Sequence, residues 1–214
     1  MVRKKRGISV TLTLIIINLI SFMLLIIGSY YNSQLVHYFA INPARVLQGA
    51  GLWTIVTSIF SHTELWHLAF NMMSLLFIGS LLERIIGKKR FLGIYLISGI
   101  FANIFFVIAA LLFSQSLDMP ALGASGAIFG IAGTLMMITP RLPVYVMLIP
   151  LPMPLWLGVS FMLLSLWIIS AIASIPIGNT AHLGGLIAGF LYGFYLRKKY
   201  GNKIRLVNRF LGLK

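Results

Sequence analysis

Six apolar stretches alternate with short polar connections along the chain. They cover residues 8–30, 65–86, 91–113, 123–139, 154–174 and 180–196. Each is close to the roughly 20 apolar residues that a helix needs to cross a bilayer. The pattern predicts an all-α integral membrane protein, folded as a six-transmembrane-helix bundle.

The composition agrees with this prediction and limits the kinds of catalytic and metal site that the chain can form. Of the 214 residues, 59% are hydrophobic and only 9% are charged, whereas a soluble domain carries about 25% charged residues. A chain of this size cannot bury so much apolar surface in one soluble core. The sequence has no cysteine, which excludes disulfides, thiol catalysis and cysteine-ligated metal centres built from this chain.

The net charge of +14 reflects topology rather than a nucleic-acid surface. With six spans, all but one of the 17 basic residues fall on one side of the membrane, and Arg45 alone falls on the other. Cytoplasmic segments carry the excess of lysine and arginine, so both termini are predicted to be cytoplasmic. We expect no nucleic-acid partner, and we expect the basic tail to contact anionic lipid headgroups.

These features divide the chain into three parts. Residues 1–7 form a basic cytoplasmic N-terminus, 8–197 the six-helix membrane domain, and 198–214 a basic cytoplasmic tail. The first apolar stretch is too long for the core of a cleaved signal peptide and lacks a small-x-small cleavage site, so it is interpreted as a retained signal anchor. Residues 31–64 are expected to form one long external loop.

Four polar residues stand out within the predicted spans, where polar groups are energetically costly and are candidates for function. His67 and Asn71 are spaced i, i+4 on one face of span two, Ser125 begins span four, and His182 begins span six. Spans two, four and six all run from outside to inside. The four side chains are therefore expected at similar depth near the outer face.

Glycines allow spans four and six to approach each other closely. Both spans carry small residues at three- or four-residue spacing, which lets membrane helices pack tightly; these are Gly126, Gly130, Gly133, Gly185, Gly189 and Gly193. Ser125 and His182 would then form a nucleophile and a general base. His67, Asn71 and the Ser125 backbone N–H would supply donors for an oxyanion.

Other catalytic chemistries fit less well. The acidic residues are Glu83, predicted near the cytoplasmic end of span two and far from this cluster, and Glu64 and Asp118, predicted in external loops. A dyad without a third acid is therefore expected. One aspartate cannot form an aspartyl-protease pair, and the histidines lack the HExxH spacing of a zinc protease, so no metal is predicted. His62 and His37 are interpreted as loop or interfacial residues.

Four sequence motifs, found in the expected order and on the expected spans, resemble those of the rhomboid family of intramembrane serine proteases. The resemblance covers about residues 8–197. The motifs are His67-x-x-x-Asn71, Gly79-x-x-x-Glu83-x-x-x-Gly87, Gly123-x-Ser125-Gly126 and Ala181-His182-x-x-Gly185-x-x-x-Gly189. The resemblance implies Ser125 as nucleophile, His182 as base, and His67 and Asn71 in the oxyanion hole. It also implies supporting roles for Gly123, Gly126, Phe129, Gly185 and Gly189, and structural roles for Glu83 and Arg84.

The same resemblance sets the expected biology. It implies endopeptidase cleavage in or near transmembrane segments of membrane-protein substrates, with no cofactor. The site would open toward the extracytoplasmic side of a prokaryotic plasma membrane. The fifth span (154–174), which is preceded by a proline-rich connection, would act as the side gate for a substrate helix.

Two departures from the family pattern stand out. Many members carry Trp-Arg in the first loop, where this chain has Trp53-Thr54. Some members carry a tyrosine one turn after the nucleophile, stacked on the histidine, where this chain has Phe129. Neither change removes a member of the predicted dyad.

Less specific interpretations of the same residues remain. Ser125 and His182 also fit helix packing and cross-helix hydrogen bonding. A non-catalytic rhomboid-like binder would have lost one dyad member, but both are present. A small transporter would show paired broken helices and charges at the midplane, and neither pattern is seen.

Overall fold

The computed structural model describes residues 8–113, 117–146, 149, 151–173 and 178–213. Within these ranges the chain is mostly helical. The helices are α1 (Val10–Tyr31), α2 (Leu35–Phe39), α3 (Pro43–Leu47), α4 (Thr54–Thr57), α5 (Leu65–Ser74), α6 (Ser80–Ile86), α7 (Lys88–Leu112), α8 (Ser125–Ile138), α9 (Leu155–Ala173) and α10 (Asn179–Phe210). A 3₁₀ turn (Ser58–Phe60) follows α4, and a π-helical turn (Leu75–Gly79) joins α5 to α6. The basic N-terminal residues 1–7 lie outside the described residues.

Four helical segments in the described part of the chain are long and apolar enough to cross a membrane. They are Val10–Tyr31, Leu65–Ile86, Lys88–Leu112 and Leu155–Ala173. The helix α8 has only 14 residues, and α10 combines a glycine-rich first part with a basic second part. Four of the six predicted spans therefore meet the length and composition expected of a transmembrane helix, and the other two stay predictions.

The centre of the bundle is α8. Every residue from Gly126 to Leu135 is buried, and α10 and α7 pack along it. The outer helices α1 and α9 instead expose aliphatic side chains such as Leu24 and Ile172. A helix that is apolar all round and half exposed is suited to lipid rather than water.

Glu83, in α6, binds the N-terminus of α1 through hydrogen bonds. Its carboxylate accepts hydrogen bonds from the Ser9 hydroxyl (2.7 Å), the Val10 N–H (3.0 Å), and the N–H and hydroxyl of Thr11 (2.8 and 2.7 Å). The first N–H groups of a helix have no partner within the helix, and a carboxylate there also complements the helix dipole. This contact lies about three turns along the span from Asn71.

The connection 31–64 is folded into α2, α3, α4 and a 3₁₀ turn rather than forming a plain loop. Backbone bonds in both directions between Ile41 and Ala121 (2.8 Å each) join it to the segment before α8. The Trp53 indole N–H donates to the Tyr38 carbonyl at 2.8 Å, and Thr54 is buried with its hydroxyl on Gly51 O. This loop is therefore bound to the segment that carries Gly123 and Ser125.

The connection between α8 and α9 contains a short antiparallel pair. Strands β1 (Pro143–Val144) and β2 (Met153–Pro154) pair two residues each. The pair leads directly into α9, since the Leu155 N–H donates to Leu142 O at 2.8 Å. The pair is confined to this connection, and the architecture remains all-α.

The helix α10 extends beyond the predicted end of span six. It continues to Phe210 with non-helical backbone angles at Tyr200. Gly201 follows directly, and glycine weakens a helix interior. The second part turns against the end of α8, where the Asn208 amide donates to Ile138 O at 2.8 Å. The predicted tail is thus a folded segment packed on the bundle.

Candidate active site

Ser125 and His182 meet where α8 and α10 begin. Ser125 is the first residue of α8, and His182 lies in the first turn of α10. The Nε2 atom of His182 lies 2.7 Å from Ser125 Oγ. His182 is buried, with only 6% of its surface exposed. The two residues are 57 positions apart, so tertiary packing alone creates the contact.

Backbone contact between the two helices explains why these side chains meet. A Cβ atom added to Gly185 would overlap the Gly126 carbonyl, and one added to Gly189 would overlap the Gly130 carbonyl. Small residues at such crossings allow helix backbones to touch. The predicted glycine contact between spans four and six is therefore present.

Phe129 covers one face of the His182 ring. The ring centroids are 4.8 Å apart and the planes differ by 23°. The other ring nitrogen, Nδ1, is buried and has no hydrogen-bond partner among the described residues. Stacking and the bond to Ser125 therefore orient this imidazole.

His67 packs against the backbone before α8. Gly123 has a φ of +125°, and a Cβ there would lie 2.6 Å from His67 Cε1. The Gly123 N–H donates to Ser58 O at 2.8 Å, which ties the turn to the 3₁₀ segment. Only glycine fits this position, because it needs both the positive φ and the missing side chain.

The Ser125 backbone N–H is free of intrahelical partners by its position. It is the first N–H of α8, and the first four N–H groups of any helix lack an i−4 acceptor. The helix dipole places partial positive charge at the same point. Both features favour a developing negative charge beside Ser125 Oγ.

Asn71 is held by two acceptors beneath His67. Its Nδ2 donates to His67 O at 3.0 Å and lies 3.2 Å from His62 Nε2. The residue is only 6% exposed. The predicted i, i+4 pair therefore does share one face, and His62 joins it.

His62 is the site residue that the sequence interpretation missed. It lies in a loop, as predicted, but it is fully buried there, which the sequence did not indicate. The Ala124 N–H approaches His62 Nε2 at 3.4 Å, and the His62 and His67 rings are 5.1 Å apart. The sequence feature that could have identified His62 as part of the site is its position, just before the helix that carries His67 and Asn71.

The His62 imidazole is neutral. Burial, with a smaller contribution from nearby His67, lowers the pKa of His62 to about 3 from an ordinary value of 6.5. In the neutral tautomer that carries its proton on Nδ1, Nε2 can accept from Asn71 and from the Ala124 N–H. Protonation would place a hydrogen on Nε2 and remove both contacts.

The carboxylates of the chain lie away from His182. Glu64 and Asp118 are exposed, and Glu83 binds the start of α1. Arg84 is exposed one residue further on. The geometry is that of a serine–histidine pair without a third acid.

Comparison with known proteins identifies the family to which the chain belongs. A family model described as the Rhomboid domain matches residues 49–199. The chain is 34% identical over 148 residues to Rhomboid protein 1, mitochondrial, of Saccharomyces cerevisiae, covering 68% of this chain and 42% of that protein. It is 36% identical over 174 residues to Rhomboid protease GluP of Bacillus subtilis, covering 80% and 31%.

A third relative is covered more completely. The chain is 34% identical over 152 residues to Putative rhomboid protease YdcA of Bacillus subtilis, covering 69% of this chain and 68% of that protein. The chain spans less than half the length of the first two relatives. It belongs to the rhomboid family and is an integral membrane protein, as its motifs and apolar stretches predicted.

Proposed function

We propose that this protein is an intramembrane serine endopeptidase in which Ser125 is the nucleophile and His182 the general base. The observation that carries the proposal is the 2.7 Å contact between His182 Nε2 and Ser125 Oγ. Family membership supports the same reaction class, since two relatives are named rhomboid proteases.

The chemistry follows from this pair. His182 Nε2 takes the Ser125 hydroxyl proton while Oγ attacks the substrate carbonyl carbon. The resulting imidazolium returns the proton to the leaving amine, and the peptide C–N bond breaks to leave an acyl-serine. A water molecule then repeats the sequence and releases the acid. No cofactor takes part.

The oxyanion formed in each half of the reaction needs preorganised donors. The Ser125 N–H, the His67 imidazole and the Asn71 amide surround the start of α8. Asn71 Nδ2 already contacts His62 Nε2 and His67 O, so an oxyanion competes with these acceptors for its hydrogens. The hydrogen bond to His62 then acts to aim the amide before substrate arrives.

The substrates are transmembrane segments of other proteins within the bilayer. A helical substrate keeps its carbonyls paired internally, so it must unwind near the scissile bond. Small or helix-destabilising residues are expected there. Gly123, Gly126, Gly185 and Gly189 support the site by close packing, and Phe129 supports it by stacking on His182.

Orientation and location complete the proposal. Residues 8–197 form the protease domain between a basic N-terminus (1–7) and a basic tail (198–214), with both termini cytoplasmic and the site opening outward. We place the protein in a prokaryotic plasma membrane, with two bacterial relatives as support. Reporter fusions at either terminus that label from outside the cell would overturn this orientation.

The decisive experiment combines activity-based labelling with substrate cleavage. Purified protein in liposomes is treated with a fluorophosphonate probe, and cleavage of a model transmembrane substrate is followed in parallel. Ser125→Ala and His182→Ala are compared with Ser160→Ala and His37→Ala, which remove the same groups from exposed positions.

We expect the first two variants to lose labelling and cleavage, and the two controls to retain both. Cleavage that survives Ser125→Ala would overturn the nucleophile assignment. A wild-type protein that binds the substrate helix but neither labels nor cleaves would replace the protease by a non-catalytic binder.

A further inference from the structure

Asn103 is a polar side chain within the apolar helix α7, and the proposed chemistry does not use it. It lies nine residues before the last residue of α7, which is about 14 Å along the helix axis. A polar group at such a position in a membrane helix is costly unless it is paired. The partners of the Asn103 amide therefore indicate what this residue is for.

The two hydrogens of the Asn103 amide join α7 to the connection 31–64. Nδ2 donates to Ile55 O, in α4, at 2.8 Å, and to the Ser58 hydroxyl oxygen at 2.9 Å. Ser58 is buried and begins the 3₁₀ turn. An NH₂ group has two donors, so both are used on this one connection. Asn103 thus holds the end of α4 and the start of the 3₁₀ turn against α7.

Packing one turn earlier on α7 reinforces this attachment. A Cβ added to Gly99 would lie 2.7 Å from Ile59 Cδ1. Ile59 is buried and follows Ser58 directly. Because Gly99 and Asn103 are spaced i, i+4, they lie on one face of α7. The missing side chain at Gly99 lets the 3₁₀ turn approach the α7 backbone, and the Asn103 amide fixes the turn there.

The same 3₁₀ turn also binds the backbone that leads to the nucleophile. Ser58 O accepts a hydrogen bond from the Gly123 N–H at 2.8 Å. Gly123 lies two residues before Ser125, which begins α8, so its position constrains where the first N–H of α8 lies. A continuous series of contacts therefore connects Asn103, through Ser58 and Gly123, to the Ser125 backbone.

We propose that Asn103 is a positioning residue for the oxyanion donor on the Ser125 backbone. It acts through Ser58 and Gly123, and it keeps the Ser125 N–H directed at the point where the attacked carbonyl oxygen gains negative charge. The inference rests on the proposed protease function. A slightly displaced donor leaves substrate binding largely intact but stabilises the transition state less.

The test compares Asn103→Leu with Asn208→Leu in the purified full-length protein in liposomes. Leucine is similar in size to asparagine and has no hydrogen-bonding side-chain group. Asn208 is a matched control, because its amide also donates to two oxygens, Ile138 O and Ile204 O, at the opposite end of α8. The measurements are kcat and KM for cleavage of a model transmembrane substrate, the rate of fluorophosphonate labelling and the melting temperature.

We expect Asn103→Leu to lower kcat by about ten- to a hundredfold with little change in KM. The labelling rate should fall in parallel, because the phosphonyl oxygen needs the same donor. Asn208→Leu should lower the melting temperature and retain the wild-type kcat. An unchanged kcat in Asn103→Leu, or a loss confined to KM, would overturn the inference. An inactive wild type, or an active Ser125→Ala, would contradict the proposed function instead.

The variant Ser58→Ala keeps the inference testable if Asn103→Leu does not fold. It removes the hydroxyl that accepts from Asn103 and leaves the backbone bond between Ser58 O and Gly123. We expect kcat to fall about two- to tenfold with KM unchanged, since one hydrogen bond is lost. Added to Asn103→Leu, the same change should lower kcat no further, because the two residues share one interaction. A wild-type kcat in Ser58→Ala would show that Asn103 does not act through Ser58.

Discussion

The Nε2 atom of His62 lies 3.2 Å from the Asn71 amide nitrogen, and the backbone N–H of Ala124 points at the same atom from 3.4 Å. One buried imidazole thus joins the helix that carries His67 and Asn71 to the residue before Ser125. The loop histidine sets the position of the proposed oxyanion donors relative to the nucleophile.

Replacing His62 should therefore impair catalysis without touching the dyad. In His62→Ala, the Asn71 amide and the Ala124 N–H lose a buried acceptor, which costs about 1–3 kcal/mol. We expect kcat to fall about tenfold or more while KM changes little. Substrate-cleavage kinetics test this, with His37→Ala as the exposed control. An unchanged kcat would contradict the positioning role.

The neutral state of His62 predicts a pH-dependent stability. Its pKa is about 3 in the folded protein and ordinarily 6.5, so the unfolded chain binds the extra proton between these values. The stabilisation is therefore complete above about pH 6.5 and is lost as the pH falls toward 3. Thermal unfolding in detergent between pH 7.5 and 4 measures the trend.

The variant His62→Gln separates this effect from other titrating groups. Glutamine offers an acceptor oxygen but has no proton to gain in this range. The loss of stability with acid should become shallower in His62→Gln than in the wild type. Parallel curves for the two proteins would show that His62 does not carry the effect.

Much of this arrangement follows from the sequence because membrane burial leaves a strong local signal. The predicted second span matches the helical segment Leu65–Ile86 residue for residue, since charged residues bound the apolar run. The contact between Ser125 and His182 could also be predicted from the sequence, because paired glycines predict close backbone contact.

Other features depend on tertiary contacts that no local pattern reports. The burial of His62 arises from the fold of the 31–64 connection over α8, and a loop histidine carries no periodicity. The second part of α10 contains too many basic residues to resemble a span. Its packing involves the Asn208 contact with Ile138 O and the side chain of Ile204 against the core. Only the three-dimensional structure shows either feature.

The contact between α8 and α10 should not tolerate a methyl group. In Gly185→Ala the new Cβ overlaps the Gly126 carbonyl, a backbone atom that cannot move alone. We expect a loss of about 2–3 kcal/mol in the free energy of unfolding and strongly reduced probe labelling. Gly93→Ala is the matched control, because its Cβ would meet nothing within 4 Å. That variant should be neutral or slightly stabilised.

Removing the charge of Glu83 should weaken the fold rather than the chemistry. In Glu83→Gln one acceptor oxygen becomes an NH₂ group facing the hydroxyl and N–H donors of Ser9 and Thr11. Hydrogen bonds to a charged group are worth about 1.5–3 kcal/mol, so the melting temperature should fall while the kcat of folded protein is kept. Glu64→Gln, at an exposed position, should leave both unchanged. Lost kcat at full stability would assign Glu83 a role in the reaction.

Stacking by Phe129 should be replaceable by another aromatic ring but not by an aliphatic side chain. Phe129→Leu keeps an apolar residue beside His182 and removes the ring at 4.8 Å. Since an aromatic pair contributes about 0.5–1.5 kcal/mol, we expect kcat to fall roughly two- to tenfold. Phe129→Tyr should retain wild-type activity, because the ring remains and the hydroxyl matches the residue found in some family members. Phe161→Leu on the exposed face of α9 controls for the loss of a phenyl group. Substrate-cleavage rates that fall equally in Phe129→Tyr and Phe129→Leu would show that shape, rather than stacking, governs this position.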